Sequence, residues 1–218
     1  MTNYKTIIKK HFSEFTNSYG FVNQKGLFWY SMHDGFYKAI GFEGKPHKYE
    51  PHYFVQPLFV GVRDYIILEY GNYIPALWDK DKRDGRSLLL FREYEEEQFV
   101  NNLEAVKDYM ADKVLPTLEK ITDVNALIDI LNGRFFCCSE FNRMRLRAYS
   151  TLYSGKYEEA YHLFKEYLEV EKGSGWILES RISEPELLLE LIERNPEEAH
   201  SILKDNITKT IAALKLKV

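Results

Sequence analysis

The sequence predicts an α+β fold in which an N-terminal helix and an antiparallel sheet are closed by a long helix and followed by an all-helical unit. Three observations carry this. Short runs rich in aromatic and β-branched residues occupy 27–91, with the length and composition of strands. A continuous apolar stripe at helical spacing runs through 95–121. Beyond it, almost every segment is helix-periodic between capping and breaking residues. The expected division is therefore an α+β domain at 1–121 and a helical domain at 122–218.

Residues 3–18 open the chain as a helix, with Tyr4, Ile7, Ile8, His11, Phe12 and Phe15 on one face. His11 on that face is expected to be a core-edge histidine with one hydrogen bond. Gly20 is placed to end the helix in a left-handed conformation, after which Phe21 folds back on it. From Leu27 the period changes to that of strands: 27–33, 36–43, 52–61, 65–70 and 88–91. Asp34-Gly35 is a hairpin turn between the first two. Pro57 puts its strand at an edge or a bulge.

Twenty-one of the 33 aromatic residues lie in 1–94. In the strand 27–33, Trp29 faces one side while Phe28 and Tyr30 face the other. A sheet with bulky groups on both faces is covered twice or leaves one face for a ligand. Coverage by helices is the first expectation. The competing one is a small-molecule binder or enzyme with an aromatic pocket lined by Trp29, Tyr30, His33 and Trp78.

Two connections interrupt the strands. Residues 44–52 read as a mobile surface loop fenced by Pro46 and Pro51. Its His47, Glu50 and His52 follow no recognised metal-ligand spacing. The second, 71–87, carries Trp78 beside a charge-rich run. Counting from Asp79 as for a calcium loop, Arg83 falls fifth, glycine seventh and Leu90 twelfth, so the pattern fails.

In the closing stretch, Phe99, Leu103, Val106, Met110, Val114, Leu118 and Ile121 form one face, and Glu95, Glu96 and Glu97 oppose the helix dipole. Pro116 cannot donate to the carbonyl four residues back, so a kink or break is expected there. A short helix at 124–131 follows, then one capped by Ser139 and ending near Tyr153, then 156–170 after Gly155. Ser183-Glu184-Pro185-Glu186 and Asn195-Pro196-Glu197-Glu198 both read as a helix start with an early proline.

Residues 141–174 resemble a single tetratricopeptide repeat: Ala148, Gly155, Tyr157, Ala160 and Phe164 fall on its small and aromatic positions, while Met144, Arg147, Thr151 and Lys172 depart from it. The resemblance implies a packed helical hairpin. Gly20-Phe21, the aromatic strands and Val114-Leu115-Pro116 together resemble a bacterial family catalogued as a domain of unknown function, across residues 1–121. That resemblance implies an α+β fold and no chemistry.

Composition narrows the function classes. The net charge of −4 over 218 residues argues against a dedicated nucleic-acid binder. Residues 1–94 carry 13 basic and 10 acidic side chains, and 95–218 carry 16 and 23. The helical half therefore suits a basic partner. Cys137 and Cys138 are adjacent, which disfavours a mutual bridge and fits a reducing, cytoplasmic compartment. No membrane-length apolar run occurs.

No catalytic or cofactor motif is present. Gly41–Lys45 lacks the first glycine and the hydroxyl of a phosphate loop. A di-iron set of Glu140, Glu159 with His162, Glu186 or Glu190, and Glu197 with His200 is disfavoured, because Glu159, His162 and Glu197 project away from the apolar stripes of their helices. Arg143, Arg145 and Arg147 do not share one helix face. No metal or cofactor is expected. The leading expectation is a bacterial protein acting through protein–protein interaction, as an immunity protein masks its partner.

Overall fold

A computed structural model describes residues 3–62, 70–74, 88–131, 139–174 and 179–217. The fold is α+β. The chain forms two compact units that divide between Thr122 and Asp123, with one exchange: the described residues 57–62 belong to the second unit.

In the first unit, α1 (Tyr4–Ser18) is capped by the Asn3 side chain, which accepts from the Thr6 amide. Gly20 ends it at φ 76°, letting the Phe21 amide donate back to the Thr16 carbonyl. The sheet then runs in the order β1 (Val22–Lys25), β2 (Phe28–His33), β3 (Phe36–Gly44), β4 (Lys48–Pro57) and β5 (Gly71–Tyr73). A short β6 (Leu90–Phe91) pairs with the start of β4.

Strand alternation sorts the side chains onto two buried faces. On one, Trp29 and Phe42 pack against Phe12 of α1, with ring centroids 5.6 and 4.6 Å away. Lys38 shares this face and is buried; desolvation lowers its pKa, partly opposed by Glu119. On the other, Tyr30 stacks on Tyr37 at 5.2 Å and Tyr37 meets Phe54 at 5.8 Å.

α2 (Glu96–Tyr109) joins α1 over the first face, where Phe99 touches both Tyr4 and Tyr49. Its end answers the question posed by Pro116. Residues Met110–Val114 form a π-turn, in which the Leu115 amide donates five residues back to the Met110 carbonyl. The chain continues as α3 (Leu115–Glu119), with Pro116 inside its first turn. The wider turn lets the chain pass a residue that has no amide to donate. The stripe from Phe99 to Ile121 stays buried throughout.

The second unit holds α4 (Val124–Leu131), α5 (Glu140–Tyr153), α6 (Tyr157–Gly173), α7 (Glu179–Arg194) and α8 (Pro196–Leu214). Ser139 caps α5 by accepting from the Asn142 amide. Consecutive helices from α5 to α8 pack on one another, and α8 also packs on α5, so the four helices close on themselves. Into this unit run Leu58, Phe59 and Val60, all buried. Phe59 stacks on Tyr153 at 4.5 Å, and its carbonyl accepts from Asn206 at 3.3 Å.

Two expectations require correction, and one strand lies outside the runs read from the sequence. The strand Val22–Lys25 has little strand propensity; its pairing with β2 makes it one. Residues 44–52 are not a long loop, because β4 begins at Lys48. Finally, α7 starts at Glu179, so Pro185 sits inside the helix. The proline deprives the Arg181 carbonyl of its helical donor. The Tyr167 hydroxyl on α6 donates to that carbonyl instead, at 3.1 Å. A tertiary contact thus supplies the hydrogen bond that the local sequence withholds.

Candidate functional site

Of the residues expected to line a pocket, Trp29 is wholly buried against Phe12 and Tyr30 is buried in the stack with Tyr37. His33 is exposed at the end of β2. Trp78 lies outside the described residues, as do most of 71–87 and both cysteines. Trp29 and Tyr30 therefore act here as core residues of opposite sheet faces.

The structure gathers a different set. Glu43, Glu50 and His52 bring potential ligand atoms to within 4.8 Å of one another. The hairpin between β3 and β4 is what aligns them. The Lys45 amide donates to the Lys48 carbonyl at 2.8 Å, closing a tight turn around Pro46 and His47. Counting outward two residues from each side of that bond puts Glu43 opposite Glu50. His52 follows on the same face of β4, because side chains alternate along a strand. Tyr73 of β5 pairs with His52 from the other side, so the histidine sits within the sheet.

Two carboxylates opposite each other repel. Here each has its own counter-ion: Lys45 pairs with Glu43, and Lys48 with Glu50. His52 Nε2 lies 3.4 Å from Glu43. Side-chain exposure grades across the cluster, 3% for His52, 15% for Glu50 and 37% for Glu43. Burial pulls the His52 pKa below its ordinary value; Glu43 and Glu50 oppose this, and Lys45 adds to it. The imidazole is thus neutral near pH 7. His47, the other histidine of the turn, is exposed, and its carbonyl accepts from the Arg92 amide.

A second polar cluster sits within the helical unit. Tyr149 donates to Glu184 at 2.7 Å, and Asn206 donates to the same carboxylate at 3.3 Å. Asn206 also donates to the Phe59 carbonyl. The Arg145 guanidinium lies over the Tyr149 ring, 5.7 Å from its centroid. Tyr149, Arg145 and Asn206 are all buried. Desolvation and the Glu184 carboxylate push the Tyr149 pKa well above its ordinary value, with Arg145 opposing. Every hydrogen bond named here ties the cluster together or to backbone, so it reads as a fastening for the 57–62 segment.

The helices also carry a surface charge. Among their described residues, α6, α7 and α8 expose eleven carboxylates: Glu158, Glu159, Glu166, Glu169, Glu179, Glu186, Glu190, Glu193, Glu197, Glu198 and Asp205. They expose five cations, Lys165, Lys172, Arg194, Lys204 and Lys209. The di-iron pattern dissolves into this surface, because Glu140, Glu159, His162, Glu186, Glu190 and Glu197 are all solvent-exposed. His200 instead makes a 3.1 Å contact to the Tyr153 carbonyl. No helix among the described residues is long and apolar enough to cross a membrane. No protein-family model, curated protein or solved structure matches this chain.

Proposed function

We propose that this protein acts by binding another protein, with the helical unit presenting an acidic surface to a basic partner. The observation that carries this reading is the excess of exposed carboxylates over exposed cations on α6, α7 and α8, eleven against five. Some of those acids are already matched within the unit, as Glu186 is by Lys172 and Glu190 by Arg194. The remainder create a negative potential that steers a cationic partner and penalises an acidic one. Val170 and Leu187, each nearly half exposed, add apolar contact points to the same helices.

Masking of a partner's basic surface, as immunity proteins do, is the specific form proposed. The compartment in this reading is the cytoplasm, supported by the adjacent Cys137 and Cys138. The test is affinity capture from native lysate with the wild type and with a Glu166→Gln, Glu169→Gln, Glu193→Gln variant. The expected result is a stoichiometric basic partner retained at low salt and released by 0.5 M salt or by the substitutions. Recovery of no stoichiometric partner, or of one indifferent to both changes, contradicts the reading.

A further inference from the structure

We infer that Glu43, Glu50 and His52 form a binding site for a divalent first-row transition ion of the zinc class. The donor set is one imidazole nitrogen and two carboxylates, which suits such ions better than magnesium or calcium, whose sites are built from oxygen. Three protein ligands also leave a coordination position for water, as in zinc sites that are not fully closed by protein.

Geometry supports the assignment. Tetrahedral ligands at zinc distances stand about 3.3 Å apart. His52 Nε2 and Glu43 Oε2 are already 3.4 Å apart, and the whole set lies within 4.8 Å. Small torsions of two glutamates close the rest. The histidine, the ligand with least freedom, is held between β3 and β5 in the sheet interior.

Lys45 and Lys48 are the local competitors. Their ammonium groups hold the carboxylates that a metal would use. Both lysines are about one-third exposed at the turn, 38% and 31%, and can swing into water when the ion arrives. A divalent ion concentrates at one point the two charges that the lysines supply separately. The arrangement therefore resembles a site whose counter-ions stand in for its metal.

The experiment uses the full chain, stripped with chelator, and titrates it with Zn²⁺ by calorimetry and with Co²⁺ by visible absorption. The expected result is one saturable ion per chain, with a cobalt spectrum of low-coordinate type. Glu43→Gln and Glu50→Gln, which preserve side-chain size at positions 37% and 15% exposed and should fold normally by circular dichroism, are expected to weaken uptake at least about tenfold. His52→Gln should abolish it, and the pair Lys45→Met, Lys48→Met should tighten it by removing the competing charges. Absence of saturable uptake overturns the site and leaves an ion-pair cluster only. Uptake unchanged by both glutamate substitutions also overturns it, since the ion is then held elsewhere.

Discussion

The two polar clusters of this molecule use similar side chains to opposite ends. On the sheet, Glu43 and Glu50 face each other across a hairpin and are balanced by Lys45 and Lys48, flexible side chains that reach solvent. Among the helices, Glu184 accepts from Tyr149 and Asn206, and the groups around it are buried. The first cluster can exchange one cation for another at little cost, because partly exposed ion pairs contribute little net stability. The second cannot lose a member cheaply, because each loss strands a buried donor or acceptor. Carboxylate content alone does not separate a binding site from a fastening; exposure of the partner does.

The largest effect is expected from Glu184→Ala. It strips the Tyr149 hydroxyl and the Asn206 amide of an acceptor at once, and urea denaturation should record a loss of roughly 2–4 kcal/mol. Gly61→Ala should come next. Gly61 adopts φ 70°, and an added Cβ would sit 3.6 Å from both Arg145 and Glu184. Space is sufficient, so the cost is conformational, about 1–2 kcal/mol in the same assay.

Alkaline titration sharpens the contrast in a different way. Burial raises the Tyr149 pKa above its ordinary value of 10.0, and it raises that of Tyr37 on the sheet as well. Above pH 10 the unfolded chain gives up these protons while the folded chain keeps them, so stability is full below that pH and falls above it. Tyr149→Phe and Tyr37→Phe should each flatten the fall, read as urea midpoints against pH. The smallest effect belongs to Lys45→Met, which should cost less than about 1 kcal/mol and less still in high salt.

Much of the fold was legible because burial imposes periodicity. The stripe of Phe99–Ile121 predicted residues that are all buried, whereas that of α1 found the buried Ile8 and Phe12, missed Thr16, and included Tyr4, Ile7, His11 and Phe15, which are half-buried. What escaped prediction depended on partners distant in sequence. Val22–Lys25 is a strand because Tyr30 and Trp29 stand opposite Val22 and Asn23. Pro185 reads locally as a helix start, yet α7 runs through it because Tyr167 donates to Arg181. Residues 58–60 read as the end of a strand, whereas their apolar side chains are buried in the helical unit.

The candidate site was half legible for the same reason. Glu50 and His52 were weighed as ligands beside His47 and set aside for want of a recognised spacing, and Glu43 was not weighed at all. The missing signal was the register of the hairpin. Reading Lys45-Pro46-His47-Lys48 as a tight turn rather than part of a long loop pairs Glu43 with Glu50 directly. The register also removes His47 from consideration, since it lies in the turn itself.

Paired double-mutant cycles test the contrast between the clusters most directly. One cycle combines Tyr149→Phe with Glu184→Gln, the other Lys48→Met with Glu50→Gln, both read by urea denaturation at low and high salt. The expected coupling is about 1.5 kcal/mol or more for the first pair, independent of salt. For the second it is below about 0.5 kcal/mol and falls toward zero in 0.5 M salt. A coupling for Lys48 and Glu50 that equals the first and resists salt would contradict the distinction between an exchangeable cluster and a fixed one.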